Sequence, residues 1–130
     1  MKQPKFDPQK EHRQKEQLRI GASATLADEF QELKSLEVEL QYFEPVALRR
    51  MSHIKYTVNL AHARAVFSFH CPNTECVGGD FDLSQEVAKA VAGHRKMVSG
   101  EVCCQGWLHK NAINSARCGH VLRYALQLRY

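Results

Sequence analysis

Long apolar runs are missing from this sequence. No stretch of its 130 residues approaches the roughly 18–20 apolar residues that a membrane span needs, so no membrane partner is expected. The first twenty residues, MKQPKFDPQKEHRQKEQLRI, carry charges but no continuous apolar core, so a secretory leader is not expected. The cytoplasm, where thiols stay reduced, is the expected compartment. Several catalytic signatures are missing too. There is no H-E-x-x-H of a zinc hydrolase, no phosphate-binding glycine loop and no G-x-S-x-G. A zinc deaminase would need H-x-E with P-C-x-x-C; here His70 and Cys71 are adjacent, and the nearby acid, Glu75, sits between two cysteines. Basic runs stop at Arg49–Arg50, and no RGG-like tract, internal repeat or low-complexity segment occurs.

What is present is a composition with 44% apolar and 25% charged residues, ordinary for one folded domain with a real core. Its charge is uneven. Residues 1–20 carry +3, residues 21–47 carry −5 and residues 48–130 carry +6. A mildly basic C-terminal half could meet nucleic acid, through Arg95, Lys96, Lys110, Arg117, Arg123 and Arg129. These residues are dispersed in sequence and form no long basic run, so an ordinary solvated surface is the preferred reading. A protein partner, met through an exposed sheet face or the acidic strand Leu36–Phe43, is preferred to nucleic acid. The oligomeric state is not legible.

Periodicity places the elements. Asp7 followed by Pro8 starts a helix and Gly21 stops it; the polar residues between leave it little to bury, so residues 1–22 read as a helical arm. Thr25 with Asp28 opens a second short helix carrying Leu26, Phe30 and Leu33. Strands follow from alternation: Leu36, Val38, Leu40 and Tyr42; then Ile54, Tyr56, Val58 and Leu60; then Ala65, Phe67, Phe69 and Cys71. The second and third lie close enough for a hairpin or one bent strand. A helix capped by Asp82 or Ser84 runs through Leu83, Val87, Ala90 and Val91 to about Lys96. Glu101–Leu108 is the fourth strand. The last is the clearest, with Cys118, His120, Leu122, Tyr124, Leu126, Leu128 and Tyr130 on one face. The expected fold is a single α+β domain over residues 23–130. It has an antiparallel sheet of about five strands, one helix after the cysteine turn and short N-terminal helices.

Cysteine usage carries the chemistry. Five cysteines, Cys71, Cys76, Cys103, Cys104 and Cys118, with no leader expected, argue against a disulfide framework and for metal ligation or buried thiols. A structural zinc ion takes four sulfur or imidazole ligands in a tetrahedron. CPNTEC, a C-x4-C turn bent by Pro72 and Asn73 and followed by Gly78–Gly79, brings two thiols together. Strand parity selects the other two: Cys104 shares a face with Val102, and Cys118 opens the inward face of the last strand. The preferred set is Cys71, Cys76, Cys104 and Cys118, holding one structural zinc per chain. Cys103 is an alternate if a bulge shifts the strand by one residue. His120, about 6.6 Å along the strand from Cys118, is another, although a satisfied core histidine is its ordinary reading. His70 has the parity of the solvent side, and Trp107 reads as a packing residue.

On CPNTEC, the CCQG strand and RCGH, residues 64–130 resemble the zinc-ribbon-like modules. The F-x-F-x-C-P turn followed by DFDL also resembles small bacterial proteins of unassigned function. The resemblance implies a structural metal site and no reaction. The sequence departs from the ribbon pattern in the helix between its halves and in the thirteen residues, Gln105–Arg117, between Cys104 and Cys118. The expected function is therefore a non-enzymatic, zinc-stabilised binding or adaptor domain. The alternative is a thiol redox enzyme or sensor using Cys103 and Cys104, although a strand lacks the electropositive setting that activates thiols. A plant-type iron–sulfur run fails at its third cysteine.

Overall fold

Two strongly alternating segments make the centre of the molecule. In the computed structural model, which describes residues 8–45, 49–73, 76–108 and 117–130, β1 (Ser35–Phe43) and β8 (Val121–Arg129) pair antiparallel along their whole lengths. Their register sets Leu36 against Leu128, Val38 against Leu126, Leu40 against Tyr124 and Tyr42 against Leu122. All eight side chains are buried, so each alternating face meets its match on one side of the sheet. β2 (Arg50–Thr57) adds beside β1 and β6 (Met97–Cys103) beside β8, giving a four-stranded antiparallel sheet in the order β2-β1-β8-β6.

Two small ladders stand apart from this sheet. β3 (Ser68–His70) pairs with β5 (Asp80–Asp82), and β4 (Cys76–Val77) pairs with β7 (Trp107–Leu108). Three helices occur among the described residues: α1 (Pro8–Ala22), α2 (Leu26–Glu29) and α3 (Ser84–Ala92). α3 contributes Val87, Ala90 and Val91 to the same core as β1 and β8. The α+β class with an antiparallel sheet is as the sequence implies. No described helix is long and apolar enough to cross a membrane.

Several boundaries differ from expectation, each for a local reason. The second strand lies at 50–57 instead of 54–60, and as an edge strand it leaves Ile54 and Tyr56 exposed at 49% and 37%. The third strand shrinks to three residues and pairs with β5, so it makes no hairpin with β2. Thr25 caps α2 by accepting from the Asp28 N–H at 3.2 Å, but the helix ends before Leu33. α3 ends at Ala92. His94 adopts φ +48°, and the Arg95 and His94 N–H groups donate back to the Ala90 and Val91 carbonyls at 2.8 and 3.0 Å. That is a Schellman closure with a histidine in the left-handed position, where glycine is usual. β6 starts four residues early, at Met97. Its alternation is hidden by Gly100, where an added Cβ would lie 2.5 Å from the Tyr124 hydroxyl across the ladder.

The charge segregation of the sequence dissolves in the sheet. On the outer face one acid of β1 meets a cation of β2, Glu39 being opposite Lys55 and 3.2 Å from His53 Nε2, while on the β8 side the neutral Gln41 faces Arg123. Arg123 itself donates to Glu101 at 3.2 Å and lies 4.8 Å from the Phe43 ring centroid. The acidic strand is therefore a central strand with partly compensated charge.

Candidate metal centre

Cysteine positions are fixed by backbone hydrogen bonds between the small ladders and the sheet ends. β3 delivers Cys71, whose N–H donates to the Gly79 carbonyl at 3.0 Å, closing the loop on itself. Within the loop the Cys76 N–H donates to the Asn73 carbonyl at 3.1 Å. Thr74 and Glu75 lie outside the described residues. The second pair comes from the adjoining ends of β6 and β8. The Cys104 N–H donates to the His120 carbonyl at 2.7 Å, and the Cys118 N–H donates to the Gly106 carbonyl at 2.8 Å. Because β6 and β8 run antiparallel, thirteen intervening residues cost nothing in distance. Gly119, at φ +69°, makes the bend from Cys118 into β8 that a side chain would strain.

These contacts bring together Cys71, Cys76, Cys104 and Cys118, with one Sγ from each lying within 4.8 Å of the others. Exposure is 4% or less at all four. The Cys71–Cys118 and Cys76–Cys104 sulfurs are 3.6 and 3.5 Å apart. No disulfide links any of the five cysteines. Ligands at about 2.3 Å in a tetrahedron put sulfurs about 3.8 Å apart, so the spacing suits a four-thiolate metal site.

Two glycines let the backbone close on the sulfurs. A Cβ on Gly79 would collide with Cys76 Sγ and sit 2.5 Å from Cys104 Sγ. A Cβ on Gly106 would collide with Cys76 Sγ and lie 2.7 Å from the Gly79 nitrogen. Donors also point at sulfur. The Gly106 N–H reaches Cys104 Sγ at 3.4 Å, Asn73 Nδ2 reaches Cys118 Sγ at 3.6 Å, and His120 Nδ1 is 3.1 Å from Cys118 Sγ. The Gly106 and Asn73 N–H groups can spread the negative charge of a thiolate, as can His120 in the tautomer that carries its proton on Nδ1. They were not anticipated; the glycine two residues after Cys104, in CQG, is the signal that marks one of them.

The thiols perturb one another strongly. Cys71 is pushed up, first by donating to Cys104 and then by burial. Cys76 is pushed up by burial and by the same neighbour. Cys104 falls to about 5 because it accepts hydrogen bonds, chiefly from Cys71. A divalent ion is what lets all four ionise together.

The other candidate residues are placed elsewhere. Cys103 is exposed on the outward face of β6. His120 is 8% exposed and meets Cys118 without belonging to the group of four. His70 is on the solvent side, 3.4 Å from Asp80. Trp107, expected to pack, is 45% exposed with the Arg117 guanidinium 4.9 Å from its ring centroid. Among the basic residues, Lys96 lines a surface groove with Arg129 at one end of β8, and Arg95 is its neighbour in sequence. Arg117 is at the other end, and Val121–Arg129 spans about 27 Å between them. Arg123 is engaged by Glu101 and Phe43. Lys110 lies outside the described residues.

Fold and site together define a small α+β domain with a buried four-cysteine cluster able to hold a metal ion. Compared with protein-family models, curated proteins and solved structures, the chain matches none of them.

Proposed function

We propose that the cluster holds one structural zinc ion and that the chain is a binding domain without catalytic chemistry of its own. The observation that carries this reading is the convergence of four buried sulfurs from two distant segments within 4.8 Å. Four protein ligands close a tetrahedral shell and leave no position for an activated water. The thiol redox alternative is the weaker one. Cys103 is exposed while Cys104 is buried in the cluster, so the adjacent thiols face opposite ways.

Binding is assigned to the outer sheet face and to a protein partner. Supporting this, a groove of about 240 Å3 passes over Ala125 between Glu37, Glu39, Lys55 and Met97, mixing both charge signs with an apolar side chain that is 71% exposed. The separation of Arg117 from Arg95, Lys96 and Arg129 disfavours one continuous phosphate-binding track. The test is elemental analysis of the purified native chain with its reactive thiols counted, followed by chelation. About one zinc per chain, one reactive thiol and loss of the folded signal with chelator are expected. No metal and five reactive thiols would remove the reading. Retention on a polyanion column that falls steeply with salt would move the partner to nucleic acid.

A further inference from the structure

Helix α1 is almost wholly polar, yet it is fastened to the cysteine hairpin by side chains of a particular kind. His12 and Glu16 are one turn apart and share a face. Across from them stands Asp80 of β5, whose Oδ2 is 2.6 Å from His12 Nε2. One donor atom from each of His12, Glu16 and Asp80 lies within 4.8 Å of the other two. The Glu16 and Asp80 side chains are 16% and 14% exposed, well withdrawn from water for carboxylates. His70 Nδ1 approaches the second Asp80 oxygen at 3.4 Å. Beside the cluster, a cavity of about 10 Å3, with room for one water, is bordered by His12, Arg13, His70, Asp80 and the ligand candidates Cys71 and Cys76, and not by Glu16.

We propose that His12 Nε2, Glu16 and Asp80 Oδ2 form a second metal site, for a first-row divalent transition ion. One imidazole nitrogen with two carboxylates is a donor set for zinc, cobalt, nickel or manganese, whereas calcium and magnesium take oxygen alone. The ion takes the place of the hydrogen bond between His12 Nε2 and Asp80, and the neutral imidazole that binds it through Nε2 carries its proton on Nδ1. Arg19 donates to both Glu16 oxygens at 2.8–3.3 Å and to Asp82 at 3.3 Å, so a bound ion competes with that guanidinium for Glu16. His70 is a positioning residue that turns Oδ2 of Asp80 toward the ion. Three protein ligands leave coordination open to water, so this ion exchanges readily. When bound, it clamps the N-terminal helix onto the hairpin.

The test adds Co2+ at micromolar free concentration to the full chain with its cysteine cluster loaded with zinc. One further equivalent is expected, with weak visible absorption and no sulfur-to-cobalt charge-transfer band. His12→Ala and Glu16→Gln, both on α1 and remote in sequence from the cysteines, should abolish the uptake; His70→Ala should weaken it about tenfold. No further equivalent overturns the proposal, as does undiminished uptake by His12→Ala. Cobalt that enters only with the sulfur band has displaced zinc and also counts against it. The outcome is independent of the cysteine reading: cobalt at the cysteines carries the sulfur band, whereas a nitrogen–oxygen site adds cobalt without one whether or not the cysteines hold zinc.

Discussion

Gly106→Ala should strip the metal from the cysteine cluster without touching a ligand. The methyl group would sit 2.8 Å from the Gly79 Cα and 2.7 Å from its nitrogen, besides colliding with Cys76 Sγ. Non-bonded carbons settle at about 3.5–4.0 Å, so the Gly79 backbone must retreat by roughly 0.8 Å. The obstacle is backbone, and no rotamer change relieves it. Moving that loop carries Cys76 away from Cys104, whereas metal–sulfur bonds tolerate only about ±0.2 Å. A hundredfold or greater loss of zinc affinity is expected, about 2.8 kcal/mol, measured by competition with a chromophoric chelator. Overpacking by itself costs about 1–3 kcal/mol, and a denaturant melt with chelator present reads that part separately. Gly21→Ala is the control: nothing lies within 4 Å of an added Cβ there, so the helix should gain about 0.5–1 kcal/mol with zinc affinity unchanged. Wild-type zinc affinity in Gly106→Ala would refute the argument, since the two loops could not then be closed on a bound ion as described.

Cys104→Ser should lower zinc to well under one equivalent per chain by elemental analysis, while Cys103→Ser keeps the full equivalent and loses only the exposed reactive thiol. The reverse pattern would place a bulge in the β6 end. At alkaline pH, Tyr42 should contribute a loss of stability. Its hydroxyl is pushed up to about 12, mainly by burial, so the folded state holds the proton after the unfolded state has released it. Stabilisation is present below about pH 10 and fades as pH rises toward 12. In Tyr42→Phe, urea midpoints followed between pH 9 and 12 should fall less steeply; an unchanged slope would mean the phenol is not withdrawn from water.

Strong two-residue periodicity made β1 and β8 readable, because each strand presents one buried face and its alternation is unbroken. It also separated Cys104 from Cys103, since odd and even positions of one strand face opposite ways, and the structure buries the first and exposes the second. Where periodicity was weak, boundaries moved. Ile54 and Tyr56 alternate like core residues but belong to an edge strand and stay exposed. Gly100 interrupts the pattern of β6 and is there because Tyr124 occupies its Cβ position. The Asn73 contact to Cys118 and the His12–Glu16–Asp80 cluster were invisible for a different reason. They depend on which loops meet, and pairing between residues separated by 45 or 68 positions leaves no local trace.

The fold is unequal in how its parts are held, and that inequality gives the cysteine cluster its role. β1 and β8 share nine register pairs, and β6 and β8 share seven. The hairpin that carries Cys71 and Cys76 has three pairs in one ladder and two in the other. Isolated two-stranded pairings of that length are not stable in water. The cysteine hairpin therefore draws its position from Phe81 and Leu83 in the core and from the four thiols at its tip. With a divalent ion the thiols become a cross-link between residues 71–76 and 104–118, joining the weakest ladders to the ends of the strongest. Without it they are buried small hydrophobes with competing protons, which pack but do not fix geometry. The binding surface proposed for the far face of the sheet would need no ion for chemistry. It does need β6 and β8 to keep their register to the end, and their adjoining ends are where the cluster ties the chain.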